Sequence, residues 1–271
     1  MRESKVGIVV GAIFVYPVKS CRAVTVRSAA LERRGLPHDR RWMIVDEAGR
    51  FLTQRTEPRL ALVDVAVETT ALLLAAPGAP SLRVPHAAVG GTRRRVQVWR
   101  DEVVAVDCGE AAAAWTSAWL GRRTALVFMP DDVERRVNPK YAQPRDIVGF
   151  ADGFPFLLAS ASSLDDVNGR LQKPVPMERF RPNIVVEGSE PWAEDHWKRI
   201  RIGSVAVLGV AKPCERCAIT TVDQRTAESG VEPLRTLATF RRVGNNVLFA
   251  QNCLLESPGT IAMGDQVTVL S

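Results

Sequence analysis

Val96-Gln97-Val98-Trp99-Arg100-Asp101-Glu102-Val103-Val104-Ala105-Val106 places two β-branched runs on either side of a charged triplet. Such residues suit a pleated, half-buried surface, and Arg100-Asp101-Glu102 supplies the polar break of a chain reversal. The segment reads as a hairpin, and the same grammar repeats outward from it. Toward the N-terminus, Arg41–Val45 and Phe51–Arg55 flank the turn Asp46-Glu47-Ala48-Gly49, and Ala61–Glu68 pairs with Leu72–Ala75. Val6–Tyr16 is an apolar, buried strand, and Ala23–Leu31 alternates as another. Toward the C-terminus, strands are expected at Asn183–Val186, Trp197–Ile202, Val205–Val210, Ala218–Val222, Val247–Leu255 and Gln266–Leu270. Helices are few. Glu110–Leu120 is Ala-rich and stops at Gly121, Ser163–Leu171 follows Ser162 and Asp165 as a capping box, and a short helix runs from Pro233 to Phe240. Residues 130–149 read as a long connection. The fold class is mainly β with a few short helices, and many short strands with regular turns argue for barrels.

The 271 residues suggest two domains, divided near residues 120–130. Apolar residues make up 46% and charged residues 24%, which excludes a disordered chain. The longest apolar runs, Val6–Tyr16 and Thr70–Ala76, fall short of the ~20 residues of a membrane helix, so no membrane partner is expected. Net charge is +6 and uneven: residues 1–125 carry 19 basic and 12 acidic side chains, residues 126–271 carry 17 and 18. That excess suits an anionic ligand on the first half. No nucleic-acid-binding motif accompanies it, so no nucleic-acid partner is expected. Five cysteines without a disulfide framework or secretory signal point to a reducing, cytoplasmic compartment.

Phosphate-loop, dinucleotide, zinc-protease and nucleophile-elbow motifs are all missing, and His38, His86 and His196 are the only histidines. One C-x-x-C remains, Cys214-Glu215-Arg216-Cys217. Because Ala218–Val222 reads as a strand, the pair lacks the helix N-terminus of a redox dithiol; it either packs as small apolar residues or offers one thiolate to a soft metal. Lys19 and Ser20 end a strand in YPVKSC, Arg40 precedes another in DRRW, and Arg181 and Asn183 precede a third in FRPN. Loop-borne donors plus one thiolate suggest a phosphate-bearing metal cofactor.

Ten segments in order then make the chain recognisable. They are YPVKSC (16–21), GLPHDRRW (35–42), RTEPR (55–59), DCGEAA (107–112), FADGFPFLLASASSL (150–164), RFRPN (179–183), PWAEDHW (191–197), PCERCAITTVD (213–223), PLRTL (233–237) and SPGTIAMGD (257–265). The whole chain resembles the MOSC family, in its amidoxime-reducing branch. The resemblance implies an N-terminal MOSC β-barrel domain over 1–125 and a MOSC domain over 126–271, with the first ~45 residues packing on the second barrel. It implies a molybdenum cofactor with Cys217 as the metal ligand. Lys19, Ser20, Arg40, Arg181 and Asn183 would bind the cofactor, and Asp152 would stand at the metal's open face as a catalytic group. The implied activity is reduction of N-hydroxylated compounds, with electrons from a separate iron–sulfur, haem or flavin protein. A cofactor carrier or sulfur-transfer module is the alternative implied activity, and pyridoxal phosphate on Lys19 is the alternative cofactor. Mitochondrial relatives carry a targeting and membrane segment; this chain starts almost at its first strand, so a soluble protein is expected.

Overall fold

The computed structural model describes residues 7–86 and 91–271. Val6, at the start of the first expected strand, lies outside the described residues. The largest sheet has nine strands. Its main path runs Val24–Val26, Val9–Val15, Ile184–Glu187, Phe156–Ser160, Asn246–Ser257, Ala206–Arg216, Arg199–Ile202 and Val267–Val269. Val9–Val15 lies antiparallel to Ile184–Glu187, and Phe156–Ser160 runs parallel to the same strand. The sheet curls until Val9, in the strand next to one end, bridges Gln266, just before the strand at the other end. Val10, Ile13, Phe156, Ile184, Ile200 and Leu208 fill the interior, each at most 1% exposed. Burial of this kind stabilises by about 1.5–3 kcal/mol per large aliphatic side chain.

A four-stranded sheet orders Trp42–Asp46, Thr124–Phe128, Asp101–Asp107 and Arg93–Val98, and a three-stranded sheet orders Asp64–Val67, Ala71–Ala75 and Leu82–Pro85. The helix Glu110–Leu120 covers them, with Trp115 and Trp119 stacked 6.1 Å apart and Gly121 in the left-handed region that ends it. The division at 125/126 falls inside Thr124–Phe128, which pairs with Trp42–Asp46. Residues 9–31 contribute to sheets otherwise built from the C-terminal half, since Ser28–Leu31 pairs with Gly259–Ala262.

Several local expectations are corrected. Ala23–Leu31 splits at Arg27, because its two parts pair with different strands. Phe51–Arg55 makes only a bridge from Phe51 to Val45, and residues 58–62 form a 3-10 turn. Residues 130–149 contain a two-stranded pair, Arg135–Arg136 with Ile147–Val148. The capping box at Ser162 does not form: the helix is Ala161–Gly169, and the Ser162 hydroxyl lies 2.7 Å from that of Ser160. Ala218–Thr221 is a 3-10 turn rather than a strand, because Thr220 and Thr221 donate their hydroxyls back to the Cys217 and Ala218 carbonyls. The hairpin turn is Trp99-Arg100, not Arg100-Asp101-Glu102. Asp101 pairs with Val98, and Arg135 grips its carboxylate at 2.6 Å. Among the described residues no helix is long and apolar enough to cross a membrane.

Candidate functional site

Three segments meet where the sheets abut. Tyr16 N–H donates to the Asp39 carboxylate at 2.8 Å, Arg40 N–H to the Tyr16 carbonyl at 2.8 Å, Lys19 N–H to the Trp42 carbonyl at 2.8 Å, and Phe150 N–H to the Arg40 carbonyl at 2.7 Å. This lacing fixes residues 16–21, 39–42 and 149–152 against one another. It also bends the chain: Ser20, Arg40 and Arg181 have φ of 69°, 46° and 57°. Non-glycine residues in this region cost roughly 1–3 kcal/mol each, a strain that gathers at functional sites.

A cavity opens at this junction. Lys19, Ser20, Arg40 and Arg55 line it from the first half of the chain, and Asp152, Arg181, Asn183, Cys214, Arg216 and Cys217 from the second. All seven residues singled out from the sequence therefore line one cavity. Its lining carries five cationic side chains against the carboxylates of Asp152 and Glu215. Arg40 is neutralised by Asp39 at 2.7 Å. Arg181 has no carboxylate partner of that kind: its Nη1 donates to the Cys21 carbonyl at 2.9 Å, and its Nη2 is buried with no partner among the described residues. Arg40 and Arg181 both stack on the Tyr16 ring, at 4.1 and 4.3 Å. Burial, then the neighbouring Arg40, pull the Arg181 guanidinium down to about 10, so it stays charged at neutral pH. A buried, charged, under-bonded guanidinium is built for an anion.

Lys19 is 5% exposed and donates to the Phe150 carbonyl at 2.7 Å and to Asp152 Oδ1 at 2.6 Å. Burial lowers the Lys19 ammonium, with Asp152 opposing. The Asp152 side chain is 60% exposed at the cavity mouth. Partial desolvation works to raise its carboxyl, but Lys19, Arg55 and the Trp99 indole together hold it well below the usual carboxylate range. Asn183 is already engaged: its amide donates to the Phe14 carbonyl at 3.2 Å and accepts from Leu157 N–H at 3.2 Å, tying two strands together.

Both cysteines of the C-x-x-C line the cavity, so neither is a core residue packed away from it. The strand Ala206–Arg216 precedes Cys217, and a register shift between Pro213 and Glu215 breaks the alternation. Arg216 donates to Cys214, at 2.8 Å, while Cys217 receives Arg55 Nη1 at 3.4 Å. Burial pushes the Cys214 thiol up, against the pull of Arg216. Among the described residues no three His, Cys, Asp or Glu side chains converge as a metal-binding group. A metal at either sulfur would draw its remaining ligands from a bound molecule.

Three participants escaped the sequence reading. Arg55 stood within a quoted motif but carried no local signal of its role. Arg135 lay in the expected loop; it donates to the carbonyls of Gly149, Ala151 and Asp152 and so holds the Asp152 segment in place. Trp99 donates from Nε1 to Asp152 Oδ1 at 3.1 Å.

Residues 7–123 match the family model of the MOSC N-terminal beta barrel domain, and residues 145–268 match the MOSC domain. Human mitochondrial amidoxime-reducing component 1 is 36% identical over 279 residues, covering 96% of this chain and 82% of its own length. The chain belongs to the MOSC family. Its mouse relative, also named mitochondrial amidoxime-reducing component 1, is 36% identical over 99% of this chain and 84% of its own length. A solution structure of a Bordetella bronchiseptica protein is 32% identical, covers 45% of this MOSC chain and 93% of its own, and has a TM-score of 0.37. In this MOSC protein the cavity draws on both matched regions: Lys19, Ser20, Arg40 and Arg55 fall in the first, and Asp152, Arg181, Asn183 and Cys217 in the second.

Proposed function

We propose that this MOSC protein is a molybdenum-cofactor-dependent oxidoreductase that reduces N-hydroxylated compounds such as amidoximes, hydroxylamines and N-hydroxylated bases. One observation carries the reading: a cysteine sulfur, Cys217, and a buried guanidinium whose Nη2 has no hydrogen-bond partner among the described residues, Arg181, share one cavity. A pterin-dithiolene cofactor with a phosphate tail asks for that combination, a soft thiolate for the metal and charged donors for the phosphate. The donor set therefore fits the group. Cys217 would ligate the metal, while Arg181, Ser20 and Arg40 would hold the anionic part, with Lys19 and Asn183 shaping its walls. The names of the curated relatives speak of amidoxime reduction, and the wider N-hydroxylated class is the proposal's own extension.

When bound, the cofactor supplies two-electron oxygen-atom chemistry, in which the N–OH group plus two electrons and two protons gives N–H and water. The chain's own residues bind and orient. Asp152, kept ionised by Lys19, accepts a hydrogen bond from the substrate's N–H groups and stores no proton at neutral pH. Arg55 donates to Cys217 and holds that sulfur in place. The sequence holds no iron–sulfur, flavin or nicotinamide motif, so the reading includes a separate electron-donor protein. The five free thiols accord with a reducing compartment such as the cytoplasm.

Protein produced in a host that makes the cofactor tests the reading. About one molybdenum per chain, as one thiolate ligand implies, with pterin and benzamidoxime reduction by a chemical reductant supports it. Stoichiometric zinc without pterin overturns it. A nicotinamide nucleotide alone should drive no turnover; robust turnover would reveal a redox group within the chain. The sulfur-transfer reading draws on Cys214, a second thiol in the cavity. It calls for a sulfane-sulfur donor that loads a persulfide on Cys214 or Cys217, whose outer sulfur passes to an acceptor thiol and leaves the cysteine as a thiol; mass spectrometry would detect the persulfide. A Schiff base of pyridoxal phosphate on Lys19 would have to break the bonds to Phe150 and Asp152, so the geometry favours the molybdenum cofactor.

A further inference from the structure

Trp99 occupies a place that local physics argues against. It is the first residue of the two-residue turn between Arg93–Val98 and Asp101–Asp107, with φ of 56°. Such turns favour Gly, Asn or Asp, and a bulky side chain there is strained. It also stays 37% exposed, one of few large apolar side chains so placed. The strain is held by contacts to the site. Its Nε1 donates to Asp152 Oδ1 at 3.1 Å, its ring stacks on the Arg55 guanidinium at 4.3 Å and leans on Phe51 at 5.0 Å. Asp152 and Arg55 line the cavity, and the half-exposed indole contacts both, which sets it beside the cavity mouth. A second tie, Arg135 to Asp101 at 2.6 Å, anchors the same hairpin to the Asp152 segment. The hairpin tip is thus a fixed wall.

We propose that Trp99 is a specificity-determining residue: its exposed indole stacks on planar substrates while Asp152 receives their N–H groups. This rests on the reductase reading and refines it. An amidoxime or N-hydroxyguanidine presents a flat, conjugated N–C–N unit carrying N–H donors, which matches an indole wall beside a carboxylate. A small pyramidal hydroxylamine has no such plane. The chain should therefore prefer planar substrates, and the preference should depend on the ring at position 99.

The experiment compares wild type, Trp99→Phe and Trp99→Ala, loaded with cofactor and driven by one chemical reductant. Its readout is the ratio of kcat/KM for benzamidoxime to that for hydroxylamine. Loss of one aromatic stacking pair should lower that ratio about threefold to tenfold in Trp99→Ala, mostly through KM for benzamidoxime, and Trp99→Phe should keep most of it. Calorimetric binding of benzamidoxime to the oxidised, loaded protein should weaken by the same factor in Trp99→Ala, a readout that requires no turnover. An unchanged ratio, or equal losses on both substrates, overturns the proposal. If Trp99→Ala fails to fold, Trp99→Leu, apolar but without a ring, takes its place with the same expected loss. If wild type holds molybdenum but reduces neither compound, the reductase reading fails, and the calorimetric comparison still decides whether Trp99 recognises planar N-hydroxylated ligands.

Discussion

At Arg181, burial removes solvent from a guanidinium whose Nη2 has no partner among the described residues, and at Cys217 the chain offers a sulfur to the same cavity. The two cysteines are separable by substitution. Cys217→Ser should abolish benzamidoxime reduction and most molybdenum retention, because a hydroxyl is a poor ligand for a soft metal. Cys214→Ser should retain molybdenum and a substantial part of the activity. Metal analysis and turnover under one artificial donor check both, and a dead Cys214→Ser with an active Cys217→Ser reverses the assignment. Asp152 makes a second, pH-dependent case. Its folded pKa lies below the unfolded value of about 3.9, so its stabilising contribution is complete above that value and is lost as pH falls through the folded pKa. The difference in thermal midpoint between wild type and Asp152→Asn should be flat from pH 8 to about 5 and shrink below about 4. A difference that instead disappears between pH 8 and 6 would mean that Asp152 titrates near neutrality.

Two glycines show what the elements demand of the backbone. Gly121 ends the helix Glu110–Leu120 at φ of 69°, and a Cβ there would meet nothing within 4 Å. Gly121→Ala should cost only the left-handed backbone penalty, about 1–2 kcal/mol, with activity per folded molecule preserved. Gly149 has an ordinary φ, but a Cβ on it would sit 2.7 Å from the Arg40 carbonyl, the acceptor of Phe150 N–H. Gly149→Ala should pry the 149–152 segment from Arg40 and lower cofactor retention more than it lowers the melting temperature. Differential scanning calorimetry with metal analysis distinguishes the two. Equal behaviour of the variants would show that the Arg40–Phe150 contact does not shape the site.

For the molecule as a whole, strand exchange between the halves sets stability. Val9–Val15 lies inside the nine-stranded sheet, between Val24–Val26 and Ile184–Glu187, and buries Ile13 completely. A fragment of residues 126–271 would lose that strand and leave Ile184, Val185 and Val186 without cover. It should be unfolded or aggregated by circular dichroism and gel filtration, although residues 145–268 match the MOSC domain by themselves. Cooperative melting of the fragment near the full chain's midpoint would show that the second sheet folds without the first residues.

Glu110–Leu120 was legible residue by residue, because an alanine run closed by glycine specifies a helix from neighbours alone. The β-rich class was legible too, since alternation and turn residues are local signals, and the seven residues that line the cavity could be picked out because each stands in a short contiguous motif. Pairing partners were not. Nothing local says that Ser28–Leu31 joins Gly259–Ala262, because such contacts are decided by which apolar faces can be covered together. Ile219-Thr220-Thr221 carries strand propensity yet turns, since side-chain hydroxyls found the carbonyls of Cys217 and Ala218. Trp99, Arg55 and Arg135 reach the site only through distances spanned by folding; in sequence they are a hairpin residue, the end of an expected strand and a loop charge. The sequence by itself determined the local elements and the chemical character of the donors. Only the tertiary structure decided which donors were already spent, as Asn183 is on its neighbouring strands, and which were left with bonding capacity, as Arg181 is, because satisfaction of a buried polar group depends on everything packed around it.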